Sequence, residues 1–188
     1  MKKLFLISAL FIALGAKSQD FYHGLGGGIL VGTFSQEYTT PFSDVSSTGG
    51  AYVPGIMYKA TLGFDISRKT SFGVTASPFL GFFLSSQQGS YFGFQLPVMG
   101  EYYFGDIDDN CFYLGGGFSY GLVDDGSVGG SVLGPVLGLG AQFEVRDVLY
   151  GLRANYTLGV NKERDVPAGW EYTKDSRGMI SLSVYLVF

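Results

Sequence analysis

The sequence predicts an all-β fold, an eight-stranded antiparallel up-and-down transmembrane β-barrel. The chain after residue 18 divides into eight segments in which apolar and polar residues alternate, as on strands with two different faces. Each segment is near or above the roughly 9 to 11 residues that a tilted strand needs to cross a bilayer. The connections alternate between short and long, which is typical of a barrel with short turns on one side of the membrane. The approximate segments are 21–34, 55–66, 70–83, 91–104, 111–122, 132–145, 149–160 and 178–188.

The composition favours strands over helices. The chain has 30 Gly, 13 Tyr and 17 Phe, and aromatic residues suit the half-buried surface of a sheet. After residue 18 no apolar stretch reaches the roughly 20 residues of a transmembrane helix. A membrane protein without such a helix must be a closed barrel, because only closure satisfies every backbone hydrogen bond in lipid. The composition is even along residues 19–188, which predicts one domain.

The N-terminus has the pattern of a secretory signal peptide. Residues 1–3 (MKK) form a basic segment, residues 4–14 are uncharged, and Ala16 and Ser18 are the small residues that a signal peptidase reads. We therefore expect residues 1–18 to be cleaved, which leaves 9 basic against 16 acidic side chains in the exported chain. This acidic balance disfavours a nucleic-acid partner, since phosphate binding needs clustered Lys and Arg.

The lengths of the connections predict the orientation of the barrel. Short connections follow the second, fourth and sixth segments, and they are expected to be periplasmic turns, with both termini on the same side. Longer connections follow the first, third, fifth and seventh segments, and they are expected to be extracellular loops. The predicted turns are 67–69, 105–110 and 146–148, and the predicted loops are 35–54, 84–90, 123–131 and 161–177.

Aromatic residues stand at both ends of the apolar face in the third and fourth segments, with aliphatic residues between them. Ten residues at about 3.3 Å each, tilted by roughly 40°, span about 25 Å, which is the height of the apolar band between the aromatic girdles of such barrels. The predicted girdle residues are Phe72, Phe82, Phe92, Phe94, Tyr102 and Phe104. Two local features are less regular. The Gly-rich first segment does not indicate its outward face, and Pro78, Pro97 and Pro135 predict bulges or weak pairing.

Four charged residues have the parity of the barrel interior: Lys59, Glu101, Glu144 and Arg153. Counting from the turns places the last three in the periplasmic half, so we expect Glu144, Glu101 or both to hold Arg153. An eight-stranded barrel is only wide enough inside for its own side chains. We expect these charges to plug the lumen together with Gln95, Tyr103, Gln142, Asn155 and Tyr185.

The chain ends on five alternate apolar residues: Ile180, Leu182, Val184, Leu186 and Phe188. This ending resembles the C-terminal assembly signal of bacterial outer-membrane β-barrels, in which a terminal Phe and alternate apolar residues are read by the barrel-assembly machinery. The resemblance implies the outer membrane of a Gram-negative bacterium and makes that machinery a partner during biogenesis.

Three stretches also resemble one family. The segment 95–104 (QLPVMGEYYF), the segment 152–156 (LRANY) and the closing strand are similar to the small outer-membrane β-barrel domain family called porin-like or PorT-like, related in shape to the OmpA and OmpX barrels. The family more often has a basic residue at the position of Glu101. The resemblance implies an eight-stranded barrel that, for most members, has no established molecular activity, and no residue supports the role in secretion that the PorT label suggests.

No cofactor or metal site is predicted. The Gly-rich stretch 24–28 lacks the Lys and the Ser/Thr of a phosphate-binding loop, so strand glycines inside a narrow barrel are the better interpretation. Asp106, Asp108 and Asp109 lack the Gly and the distal Glu of a calcium loop and are expected to form a solvated turn. The only cysteine, Cys111, has no partner for an intramolecular disulfide.

Catalysis is not expected either. The only imidazole is His23, at the periplasmic start of the first segment, whereas barrel enzymes use a base near the outer rim. We therefore predict a non-enzymatic barrel with a structural or surface-interaction role carried by its extracellular loops. The alternative is a narrow pore or a secretion accessory. The expected partners are outer-membrane lipid, lipopolysaccharide and an unidentified surface partner. Divalent ions could link lipopolysaccharide to loop charges at Asp124, Asp125 and 162–165.

Overall fold

The computed structural model describes residues 19–39, 43–67, 69–85, 89–124, 130–159 and 171–188. The predicted signal peptide, Asp125 and 162–165 lie outside them. The described residues form one antiparallel sheet whose third barrel strand has two halves, β3 and β4, so that the ring has eight strands. The strands are β1 (Gln19–Thr39), β2 (Asp44–Ser67), β3 (Thr70–Ala76), β4 (Phe79–Ser85), β5 (Gly89–Phe104), β6 (Cys111–Asp124), β7 (Gly130–Val145), β8 (Val148–Leu158) and β9 (Glu171–Val187).

The sheet closes because β1 pairs with both β2 and β9. Every neighbouring pair is antiparallel, and strands that are consecutive in sequence are neighbours in the ring, which confirms the predicted up-and-down barrel. Following the paired residues once around the ring from Phe21 leads back to Val31, further along β1. Such a stagger requires strongly tilted strands, as in other closed barrels.

The two faces of the sheet differ as the alternation predicts. Apolar side chains on the outer face are exposed; Phe118, Leu137 and Ile56 are 70%, 63% and 62% exposed. Side chains on the inner face are buried, and many of them are polar. An exposed apolar band around a polar interior is the pattern of a barrel that spans lipid. The described part of the chain contains no helix whose length and hydropathy would let it cross a membrane.

The structure settles the outward face of the Gly-rich β1. Phe21, Leu25 and Ile29 are exposed on the outer face, whereas Gly24 and Leu30 are buried on the inner face. The sequence left this open because glycines occupy positions on both faces, so that the contrast between apolar and polar residues is lost.

The prediction of long extracellular loops was wrong in detail, because most of the predicted loop residues are strand. The connection predicted at 35–54 is a hairpin, since β1 continues to Thr39 and β2 begins at Asp44. The strands also extend into the other predicted loops, at Ser85, Asp124 and Glu171. Small and polar residues in these stretches resemble loop sequences, but pairing with a neighbouring strand keeps them extended.

Pro78 interrupts the sheet as expected, because β3 ends at Ala76 and β4 begins at Phe79. The carbonyl of Pro78 still accepts a hydrogen bond of 3.0 Å from the backbone of Tyr58. The expectation of a bulge was wrong at Pro97 and Pro135, which pair in register with Ser119 and Phe118. The β7–β8 turn is one residue shorter than predicted, with Arg146 and Asp147 at φ of 54° and 62°.

Candidate functional site

Glu101 is the centre of a polar cluster in the half of the barrel nearer the turns 105–110 and 146–147, which we call the periplasmic half after the predicted orientation. This carboxylate is fully buried. Its Oε2 accepts hydrogen bonds from Thr75 at 2.8 Å and from Tyr103 at 2.5 Å. Its Oε1 lies 2.5 Å from Nη1 of Arg153, and its Oε2 lies 3.5 Å from Nζ of Lys59. One carboxylate therefore serves two buried cations.

Lys59 is surrounded by tyrosines. Its ammonium donates to the hydroxyls of Tyr103 and Tyr185, at 3.0 and 3.2 Å. It also lies 5.3, 4.5 and 5.1 Å from the ring centroids of Tyr103, Tyr113 and Tyr185. Aromatic faces attract a cation at such distances, and the attraction is stronger when water is excluded. Neutral groups thus provide most of the surroundings of this charge.

Arg153 has a poorer set of partners. Its Nε donates to Oδ1 of Asn155 at 3.0 Å, and its Nη2 lies 3.2 Å from the sulfur of Met99. A thioether is only a weak acceptor, and a guanidinium carries five N–H donors. Glu101 is its anionic partner.

Three glycines make room for the tyrosines of the cluster. A Cβ on Gly151 would overlap the ring of Tyr185, and a Cβ on Gly140 would overlap the ring of Tyr113. A Cβ on Gly24 would lie 2.8 Å from the ring of Tyr185. Because these inward-facing glycines have no side chain, they leave the space that the large tyrosine rings occupy in a narrow barrel.

Buried side chains occupy the inner face in both halves of the lumen, as far as the described side chains extend. Toward the outer end, the inner face carries a buried apolar cluster that also contacts Tyr185. At the periplasmic end, Ile107 packs against the tyrosines from its turn and is 2% exposed. The outer cluster contains Leu30, Val53, Met57, Phe79, Val123, Val132 and Met179.

The structure brings together Lys59, Glu101 and Arg153 from the predicted lumen set, but not Glu144. Glu144 is exposed, and its backbone N–H donates to Oδ1 of Asn110. Glu144 lies beside the β7–β8 turn, at the mouth of the barrel. A side chain with inward parity at this position reaches solvent rather than the lumen. The sequence prediction also missed Tyr113, although the alternation of the fifth segment gives it inward parity.

The predicted neutral lumen residues Gln95, Tyr103, Gln142, Asn155 and Tyr185 are buried on the inner face, as expected. The predicted girdle and C-terminal residues lie on the outer face. In the predicted girdles, Phe72, Tyr102 and Phe104 lie near the periplasmic turns. Phe82 and Phe92 lie near the opposite end of the barrel. Phe94, the next outward-facing residue after Phe92, lies closer to the middle of the barrel. The C-terminal apolar residues from Leu182 to Phe188 are exposed, and Ile180 is half-buried. Their recognition by the assembly machinery stays a prediction.

His23 lies on the outer face at the periplasmic rim. Its ring stacks on Phe188 at a centroid distance of 6.1 Å, and its Nδ1 is hydrogen-bonded to the hydroxyl of Tyr58. Its backbone N–H and C=O pair with those of Phe188. The imidazole therefore packs at the seam where β1 meets β9.

Metal ligands do not gather within the described ranges, where no group of three or more His, Cys, Asp or Glu side chains could hold an ion. Asp106, Asp108 and Asp109 are exposed in the β5–β6 turn. Cys111 is buried and its thiol contacts Oε1 of Gln142 at 3.5 Å.

Comparison with solved structures gives neighbours of one kind. OprG from Pseudomonas aeruginosa is 12% identical with a TM-score of 0.51, over 92% of this chain and 98% of OprG. Ail, the attachment invasion locus protein of Yersinia pestis, is 13% identical with a TM-score of 0.43, over 87% and 98%. Neisserial surface protein A is 16% identical with a TM-score of 0.38, over 90% and 99%.

The similarity to OprG and the closed ring agree on the architecture. This chain has the fold of the small outer-membrane β-barrels. No protein-family model matches it, and a comparison with curated proteins gives no match. The fold therefore identifies an outer-membrane β-barrel. The features that bear on its role are the lumen and the parts of the barrel outside the lipid.

Proposed function

We propose that this protein is a non-enzymatic outer-membrane barrel that acts by surface interaction through its extracellular end. The observation that carries the proposal is that the lumen is filled while one part of the wall rises beyond the lipid-facing band. A filled lumen disfavours transport of solutes. A wall that continues past the bilayer offers backbone and side chains to the exterior.

The raised part of the wall is a three-stranded sheet, which we call the outer blade: 33–39 of β1, 44–50 of β2 and 171–178 of β9. The pairing of β1 with β2 continues to Thr39 and Asp44, and its pairing with β9 continues to Glu171. Large apolar residues on the outer face of β1 and β2 reach only to Val31 and Tyr52. Beyond them the alternate positions in phase with Val31 and Tyr52 carry polar residues or glycine in the sequence, which suits water rather than lipid, whereas Phe34, Tyr38 and Val45 are in the opposite phase.

Within the described residues, the blade has two sheet edges without a strand partner: 44–53 of β2 and 171–176 of β9, which each pair with β1 alone. We consider the edge of β2, which lies in one continuous described segment. β2 pairs with β4 only over Gly55–Met57, so that 44–53 pairs with β1 on one side alone. Edge strands are templates for pairing with another chain, and natural proteins usually protect them with Lys, Pro or a bulge. Pro54 protects only the end of this edge next to the pairing with β4, and from Val45 to Val53 the edge has no Lys, Pro or bulge. An extended protein segment is the partner chemistry that such an edge favours.

Site-directed photocrosslinking on cells tests the proposal. A photoreactive residue at Thr48, exposed in the outer blade, should crosslink a surface protein, whereas one at the exposed periplasmic Lys69 should not. Replacing 37–46 by a two-residue Asn-Gly turn should abolish the crosslinks of a probe at the exposed Tyr52 while the barrel still shifts on gels after heating. Unchanged crosslinks from Tyr52 in the shortened protein would contradict a role for the blade.

The assembly signal and the lipid partners belong to the same proposal. Outer-membrane lipid and lipopolysaccharide would cover the exposed apolar band. Deleting Phe188 removes the ring that stacks on His23 at the closing seam. We expect the deletion to reduce the heat-modifiable protein in the outer membrane more than it reduces synthesis or export. Equal amounts with and without Phe188 would remove the assembly role.

A narrow pore is the second candidate, and the polar cluster favours it. Glu101 is shared by Lys59 and Arg153, so a small rearrangement of one ion pair could open a polar path. The apolar cluster toward the outer end opposes this function, because side chains without polar groups offer nothing to a hydrated ion.

A further inference from the structure

The lipid-facing wall of the barrel contains a groove in its periplasmic half. The groove has a volume of about 520 Å³, which is within the range of sites that hold small molecules. It extends over the outer face of β1, β9, β8, β7 and β6, and its lining is almost wholly apolar. Such a groove is a place where one apolar molecule can be held in preference to others.

The floor of the groove is low because two of its outward residues are small. These residues are Ala141 of β7 and Ala154 of β8, and both are half-buried. Ala141 pairs with Leu152, and Ala154 pairs with Leu139, so that each alanine lies beside a larger side chain on the neighbouring strand. Both leucines are exposed, and they form the two walls of the groove.

The floor of the groove runs close to the barrel axis. Around the ring, the pairing rises toward the outer end of the barrel, from Phe21 to Val31 of β1. The step from Ala141 to Ala154 crosses to the next strand and also moves to the next outward position toward the outer end. In a sheet with this tilt the sideways displacements of the two movements oppose each other, so the step follows the axis. The acyl chains of a bilayer lie along the same direction.

The width of the groove suits one hydrocarbon chain. Its walls and its floor stand on the same two neighbouring strands, and adjacent strands are only about 4.8 Å apart. An α-helix with its side chains is about 10 to 12 Å wide, so it could not enter. The groove is also continuous with the lipid-facing band, which makes the acyl chain of a lipid its occupant. Because the groove lies in the periplasmic half, that lipid belongs to the periplasmic leaflet and is not lipopolysaccharide.

The rim of the barrel on the periplasmic side of the groove carries charges of both signs. Glu144, Arg146 and Asp147 are exposed at the end of β7 and in the β7–β8 turn, and Asp109 is exposed in the β5–β6 turn. Arg146 can pair with the phosphate of a lipid headgroup, and the carboxylates can pair with an ammonium. An anionic headgroup would be opposed by these carboxylates, so a zwitterionic headgroup is the better match.

We propose that the groove holds one acyl chain of a zwitterionic phospholipid from the periplasmic leaflet, with its headgroup at the rim formed by the β5–β6 and β7–β8 turns. The chain lies over Ala141 and Ala154, between Leu139 and Leu152. This lipid binds more firmly than the lipids around the rest of the apolar band. The inference rests on the lipid contact of that band and is independent of the outer blade, which is at the opposite end of the barrel.

Native mass spectrometry of the full-length mature barrel tests the site. The barrel is refolded in detergent micelles and titrated with palmitoyl-oleoyl phosphatidylethanolamine, and we expect one bound lipid per wild-type barrel at saturation. Ala141→Leu combined with Ala154→Leu fills the groove with side chains that remain compatible with lipid. This variant should lower the affinity about tenfold or more, since the lost burial of only two methylene groups already corresponds to that factor.

The matched control is Ala60→Leu combined with Ala76→Leu. These alanines are also half-buried on the outer face, and they pair with each other across β2 and β3, outside the groove. The control should bind the lipid as the wild type does. Heat-modifiable migration on gels shows whether each variant is folded, and Ala154→Leu alone decides if the double groove variant does not fold.

Three results would overturn the proposal. Equal lipid binding by the groove variant and its control would mean that the groove is not the site. Equal affinity for phosphatidylglycerol would rule out the zwitterionic headgroup. A lipid-free wild-type dimer that becomes monomeric in the groove variant would show instead that the groove is a contact between two copies of this chain.

Discussion

The two halves of the barrel interior are filled by different chemistry. In the periplasmic half, Glu101, Lys59 and Arg153 form a buried ion network that is in contact with tyrosine rings. In the outer half, most inward side chains are apolar, such as the fully buried Leu30 and Val53, and the buried polar pair Gln95–Thr157 carries no charge. The inward side chains of both halves are buried. The stability of the periplasmic half depends on pairing each charge with a partner, whereas the stability of the outer half depends on filling the available volume. The halves should therefore respond to different substitutions.

The comparison also explains the placement of the glycines. Long rings in the periplasmic half need bare backbone opposite them, and Gly140 and Gly151 provide it. In the outer half, Gly121 makes similar room for Met179, and branched side chains together with Phe79 fill the remaining space. A barrel of this width can be plugged in either way, and this chain uses both.

The largest effect is expected from Glu101→Gln, which leaves Lys59 and Arg153 buried without a carboxylate. Removing one partner of a buried ion network costs about 3 to 5 kcal/mol, whereas neutral residues at all positions cost much less. Adding Lys59→Met and Arg153→Met should therefore restore most of the loss. Urea unfolding in lipid vesicles measures the series, with the exposed Glu144→Gln as a control near zero. Strictly additive losses would mean that the three charges do not interact.

In the outer half, Leu30→Ala should cost about 2 to 5 kcal/mol, because it leaves a cavity among buried apolar neighbours. No charge is involved, so the loss should be the same in low and high salt. The matched control is the exposed Leu25→Ala on the lipid side of the same strand, which should lose far less. Similar losses at the two positions would contradict a packed outer half.

Two glycine substitutions test whether inward-facing glycines make room for the tyrosine rings of the periplasmic half. Gly140→Ala should cost about 1 to 3 kcal/mol, because the new methyl group overlaps the ring of Tyr113. Gly116→Ala should be tolerated, since its Cβ would lie 3.8 Å from Leu137 in open space. The same vesicle assay ranks the two variants, and equal stabilities would argue against the ring position.

The smallest effect concerns the β7–β8 turn, outside both halves. Arg146 and Asp147 adopt positive φ, which costs an L-residue roughly 1 to 2 kcal/mol. Replacing them by Asn-Gly, the preferred pair for this turn, should stabilise the barrel by about 1 kcal/mol. The ion network should be unaffected, so the double variant should add independently to Glu101→Gln. A destabilised double variant would contradict the turn geometry.

The alternation of residues was sufficient to predict the eight strands of the ring, their faces except that of β1, and most of the ion network. It failed at Glu144, because parity does not tell whether a residue is inside the wall or past its rim. It failed along 35–54, since strand pairing outside lipid needs no apolar face. It also could not reveal that Glu101 is shared, because the partners of a carboxylate depend on side-chain reach across the barrel. The alternation of residues also could not reveal the unpaired edge of β2, because that edge depends on where the pairing between β2 and β4 stops.

Single-channel recording in a planar bilayer tests the filled lumen most directly. We expect the wild-type barrel to give no reproducible conductance steps, because apolar side chains fill the outer half even if the ion network rearranges. Removing two of these side chains by Leu30→Gly and Val53→Gly should produce small steps, which would show that the protein is inserted and that the outer half is the barrier. Reproducible steps from the wild-type protein would contradict the account and favour the narrow pore.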